Sequence, residues 1–126
     1  MNFRTPLARV RGLGSAKSGT HHWWMQRLTA IALVPLCLWF VASLIVVVSA
    51  DHATVIHWLQ APLVAILSCA LIVAIFYHAQ LGVQVVVEDY VHAEWLKLAT
   101  IVAIKLLSLL LAGAGLFAVL RIAFTN

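Results

Sequence analysis

The run Ala61–Val87, APLVAILSCALIVAIFYHAQLGVQVVV, contains no Asp, Glu, Lys or Arg and a single histidine, His78. It exceeds the ~20 residues that a helix needs to cross hydrocarbon, and it is too long and too uniformly apolar for a soluble or barrel strand. The run therefore predicts a transmembrane helix, and Pro62 fits its first turn, where a missing N–H costs nothing. On either side the pattern recurs, from Leu28 to Ala50 and from Leu98 to Leu120, with Lys105 as the only Lys, Arg, Asp or Glu in the two runs. Pro35 lies inside the first run, where it should kink a helix rather than end it. Over all 126 residues, 64% are hydrophobic and 10% charged, and the mean hydropathy is +1.05, which excludes a water-soluble domain. The expected fold is all-α: an integral membrane bundle of three transmembrane helices. It forms a single membrane-anchor domain over residues 1–126, with an arm at 1–26 and spans at about 27–50, 61–88 and 97–121.

Charge placement gives the chain a direction. Arg4, Arg9, Arg11, Lys17 and Arg27 precede the first apolar run, whereas the segment holding Asp51, His52 and His57 has no Lys or Arg. The positive-inside bias then puts the N-terminus in the cytoplasm and, after three crossings, the C-terminus with Arg121 in the periplasm. The net charge of +4 would favour nucleic acid in a soluble protein. Here the nearer partner of the basic arm is anionic lipid, and nucleic acid is discarded. The arm also has the Arg- and Ser-containing, acid-free composition of a mitochondrial transit peptide; the reading adopted is a short cytoplasmic arm in a bacterial inner membrane protein. Cys37 and Cys69 lie within apolar runs without CxxC spacing and read as small packed hydrophobes.

Of six histidines, only His78 falls inside a span, ten residues before Glu88 and so about 15 Å from the boundary of a ~30 Å core. An ionisable group at that depth points to function. Three roles suit it: a haem axial ligand, a proton-relay group, or a neutral imidazole hydrogen-bonded to a neighbouring helix. Gly82 and Ala74, one turn to either side, would let a flat macrocycle approach, and equally would let two helices pack closely. A six-coordinate haem would need a second ligand from another membrane chain, since no second histidine or suitably placed methionine lies in a span.

The second span ends in Val87-Glu88-Asp89-Tyr90-Val91-His92. This is either an ordinary interfacial helix end or a quinone headgroup site, in which the phenol donates to a carbonyl and the carboxylates pass protons. Asp89, eleven residues from His78, shares its helix face. At the mouth of the first span Arg27 and His21, beside Trp23 and Trp24, form either a positive-inside anchor or a partner for haem propionates. Lys105 reads as a snorkelling lysine, and Ala112 to Gly115 as a close-packing patch.

Two stretches resemble the D-type hydrophobic anchor subunits of succinate dehydrogenase, the membrane part of respiratory complex II. One is His78-Ala79-Gln80-Leu81-Gly82 followed by Glu88-Asp89-Tyr90, similar to the family's haem-ligand histidine, glycine four residues on, and closing Asp-Tyr pair. The other is Gly19-Thr20-His21-His22-Trp23-Trp24-Met25-Gln26-Arg27-Leu28-Thr29-Ala30, similar to the start of the family's first helix. The resemblance implies that His78 ligates the iron of haem b, that Arg27 and His21 lie near its propionates, and that Tyr90 and Asp89 belong to a ubiquinone site. It further implies a C-type cytochrome b anchor subunit as partner, with an iron–sulfur subunit and a flavoprotein subunit on the cytoplasmic face. Electrons from succinate would then reach ubiquinone, linking the tricarboxylic acid cycle to electron transport, with this chain catalysing nothing alone. The competing expectations are a fumarate reductase-type anchor using menaquinol, and a small homo-oligomeric proton or solute transporter.

Overall fold

The computed structural model describes residues 5–10 and 19–125, and every regular element among them is helical: α1 (Pro6–Val10), α2 (Gly19–Val47), α3 (His52–Gln60), α4 (Pro62–Tyr90) and α5 (Glu94–Phe124). Arg4, Arg11 and Lys17 of the expected basic arm lie outside the described residues. Helices α2, α4 and α5, of 29, 29 and 31 residues, are each long and apolar enough to span a bilayer.

The helices overrun the apolar runs. α2 begins at Gly19 and carries His21, His22, Trp23 and Trp24 in its first turns, while α4 continues through Glu88 and Asp89 to Tyr90. Hydropathy marks where a helix meets hydrocarbon, whereas backbone hydrogen bonds continue into the headgroup layer. Only Val91 to Ala93 link α4 to α5. The segment after Asp51, between the first two apolar runs, is helical as α3. Its Val55, Ile56, Trp58 and Leu59 turn inward while His52, Thr54 and His57 stay exposed, the division of a helix lying along a membrane surface.

Side-chain contacts hold α3 in place. Trp58 stacks on Trp39 of α2 with ring centroids 6.3 Å apart, and the Gln60 amide donates to the Thr125 carbonyl oxygen at 2.7 Å. Ahead of α3, the Asp51 carboxylate accepts from the Thr54 hydroxyl, which holds its pKa below the ordinary carboxylate range. That contribution is present at neutral pH and fades as acid protonates the group.

α4 is the central element, packing on α2, α3 and α5. The buried residues are Ala65, Ser68, Leu71, Ala74, Leu81 and Val87 of α4 together with Thr29 of α2. Lipid tails are as apolar as these side chains, so close packing and interhelical hydrogen bonds hold the helices together. Gly115 marks one close approach: a Cβ there would meet two Ile72 side-chain carbons of α4 at 3.3 Å. Gly115→Leu is expected to force α5 off α4 and cost about 1–3 kcal/mol, read as a lower midpoint for thermal aggregation in detergent.

Candidate functional site

The site forms where one face of α2 meets α4. Thr29 is the one buried residue of α2, and its Oγ1 lies 2.8 Å from the Met25 carbonyl oxygen and 3.1 Å from that of Gln26. It also lies 2.9 Å from His78 Nδ1. A hydroxyl has one proton to donate. If that proton goes to its own helix, Oγ1 can accept from Nδ1–H, and in that tautomer the lone pair is on Nε2.

Nε2 faces the Gln26 amide nitrogen at 3.4 Å, in position to accept from it. Gln26 reaches His78 past Gly82, where an added Cβ would come within 3.6 Å of the amide nitrogen. Ala74, the small residue on the other side of His78, is buried on the packed face. Gly82 thus lies where α4 meets Gln26 of α2, and Ala74 is buried within the bundle. Two further atoms on the same side of α2, Gln26 Oε1 and His22 Nε2, are buried without a hydrogen-bond partner among the described residues. His22, Gln26 and Thr29, at i, i+4 and i+7, form a polar stripe on an apolar helix.

His78 thus sits in a membrane span, half-buried, with Nδ1 held by Thr29 and Nε2 against the Gln26 amide. That donor chemistry fits an axial ligand to haem iron: with Nδ1 held by Thr29, the ring would be oriented and Nε2 would be the ligating atom. No three His, Cys, Asp or Glu side chains cluster among the described residues, so the chain offers a single imidazole and not a cage.

The other expected site residues lie apart from this patch. Arg27 is exposed, with its guanidinium carbon 5.4 Å from the Trp23 ring centroid, and points about 200° around α2 from Thr29. His21 is exposed near the start of α2. Asp89 and Tyr90 are exposed at the far end of α4, with Tyr90 at 78%. Although Asp89 shares the face of His78, it is about 17 Å further along the helix. Glu88 accepts from Gln84 at 2.7 Å, which leaves Asp89 as the carboxylate of the pair without a partner among the described residues.

Thr29, Gln26 and His22 are not among the expected site residues, and the sequence signal for them is their spacing: three polar residues at helical period in an apolar stretch that also holds an arginine and two tryptophans.

Residues 1–112 match the family model described as succinate dehydrogenase/fumarate reductase transmembrane subunit. The chain is 39% identical over 118 residues to a succinate dehydrogenase hydrophobic membrane anchor subunit of Rickettsia bellii, covering 94% of each protein. A protein of the same description from Rickettsia conorii is 32% identical over 106 residues, covering 83% of this chain and 84% of the relative. A succinate dehydrogenase membrane anchor subunit of Reclinomonas americana is 31% identical over 100 residues, covering 74% and 80%. No solved structure matches the chain.

Proposed function

Because this chain belongs to the succinate dehydrogenase/fumarate reductase transmembrane subunit family and is a membrane anchor of succinate dehydrogenase, we propose that its His78 holds the iron of a haem b shared with a second membrane subunit. The observation that carries the proposal is the 2.9 Å contact between Thr29 Oγ1 and His78 Nδ1, which leaves Nε2 as the ligating atom. Bound haem supplies one-electron exchange within the membrane. What the chain itself does is orient the imidazole, exclude water around it with the packed α2–α4 face, and leave the buried Gln26 and His22 atoms available to polar groups at the same level. Arg27 and His21 are assigned to the propionates; a guanidinium released from Trp23 suits a carboxylate.

The Tyr90 end is the docking end. Tyr90 donates its phenolic proton toward a carbonyl of bound ubiquinone, and Asp89, the unpaired carboxylate beside it, delivers protons as the ring is reduced. The partners are a C-type cytochrome b anchor, which provides the other haem ligand, and the iron–sulfur and flavoprotein subunits seated over Tyr90. This chain has no catalytic activity alone, and the assembly lies in the bacterial inner membrane with the Tyr90 end toward the cytoplasm. Family membership removes the basis for the transporter reading.

Thr29→Val tests the carrying observation, since it keeps the shape and branching of the side chain and deletes only the oxygen. With Nδ1 unheld, the purified complex is expected to bind haem about 10- to 100-fold less tightly, read as loss of haem to an excess of apo-globin scavenger. Retention equal to wild type would remove Thr29 from the site.

A further inference from the structure

One polar cluster inside the membrane is used by none of these roles. A groove of about 530 Å³ runs between α4 and α5, and its walls carry Tyr77, Gln80, Lys105 and Ser108. Tyr77 and Gln80 lie one turn apart on α4, and Lys105 and Ser108 one turn apart on α5, so the four stand at nearly one height. Tyr77 is a neighbour of His78 in sequence but about 100° around α4, so this groove and the α2–α4 site occupy different faces.

The chemistry of the walls selects the occupant. Phenol, amide, hydroxyl and ammonium all offer donors, and the ammonium can only donate. The chain's four acids, Asp51, Glu88, Asp89 and Glu94, all lie at or beyond helix ends, and none lines the groove. Lys105 has no ion-pair partner among the described residues, where Lys97 and Glu94 form the only pair. Lys105 is exposed on the isolated chain, and an ammonium on a membrane-spanning helix favours a partner that brings negative charge, which a neutral quinone does not. The Lys105 Cα lies about 12 Å along α5 from Lys97, and its side chain leans back toward the helix N-terminus. That lean lifts the ammonium toward the headgroups, where lipid phosphates are found. Below it Phe76 and Leu109 provide apolar walls, and Gly113 leaves room for a chain.

We propose that the α4–α5 groove binds one anionic phospholipid of the leaflet on the Tyr90 side. Its phosphate pairs with Lys105, its ester carbonyls accept from Gln80, Ser108 and Tyr77, and an acyl chain follows Phe76 and Leu109. The site is independent of the haem and quinone assignments.

Native mass spectrometry of the intact complex, washed in mild detergent and titrated with phosphatidylglycerol or phosphatidylcholine, tests this. Wild type and Lys105→Arg are expected to retain about one phosphatidylglycerol per anchor chain and to prefer it over phosphatidylcholine. Lys105→Met is expected to lose that preference and to lower retention about tenfold. Gly113→Leu provides a second arm with the charge intact: a Cβ at Gly113 meets nothing within 4 Å, so the side chain starts into open groove space and should also expel the lipid. Unchanged retention in both variants overturns the proposal. So does recovery of a quinone in place of the lipid, or an efficient Ser108→Cys cross-link to a transmembrane helix of a partner subunit.

Discussion

Complexes carrying His78→Ala are expected to lose the sharp reduced bands of a six-coordinate b-type haem, leaving either no haem or a five-coordinate, broadened spectrum. Iron loses its ligand on this side, and no other histidine of the chain lies within the three apolar runs to replace it. The substitution also takes away the interhelical partner of Thr29, whose hydroxyl keeps its bond to the Met25 carbonyl, at a cost of about 0.5–1.5 kcal/mol. Subunit content on a blue native gel is therefore measured alongside the spectrum. Exposed His52 and His57 are the controls, and alanine at either should leave the bands as in wild type. If His78→Ala assembles with an unaltered haem spectrum, the imidazole is a packing group tied between two helices and the haem assignment is wrong.

Tyr90→Phe carries the second large effect. The phenol is 78% exposed on the isolated chain, so deleting its oxygen removes no buried hydrogen bond and leaves the fold unaffected. Ubiquinone reduction by succinate is expected to fall on the order of 100-fold, the contribution of a positioned proton donor. Succinate oxidation coupled to a soluble dye, which draws electrons before the membrane, should stay at the wild-type rate. Asp89→Asn should slow the same reaction less and shift its pH profile, because water can replace a relay group more readily than an oriented phenol. Quinone turnover at the normal rate in Tyr90→Phe would move the headgroup site elsewhere.

The spans were legible in the sequence because bilayer thickness imposes a length that few soluble elements reach, and His78 stood out because hydrocarbon penalises ionisable groups. α3 was not legible. Its inward face of Val55, Ile56, Trp58 and Leu59 fills little more than two turns, and the Trp39 surface that receives Trp58 lies on another helix. Thr29 and Gln26 were hidden for a related reason. Their partner is separated from them by 49 and 52 residues, and no local pattern encodes which α2 face an α4 imidazole will meet. Arg27 drew attention by its charge, yet within this chain its guanidinium rests on the adjacent Trp23.

The bond between Thr29 and its own helix bears on biosynthesis. α2 leaves the ribosome well ahead of His78, and at about 5–20 residues per second the 49 residues from Thr29 to His78 take roughly 2–10 s to be made. During that interval the threonine hydroxyl is already satisfied by the Met25 carbonyl, so the newborn segment can partition into lipid without a bare donor. When the later segment arrives, the same oxygen still has a lone pair to give. The first helix can therefore insert early and be claimed late.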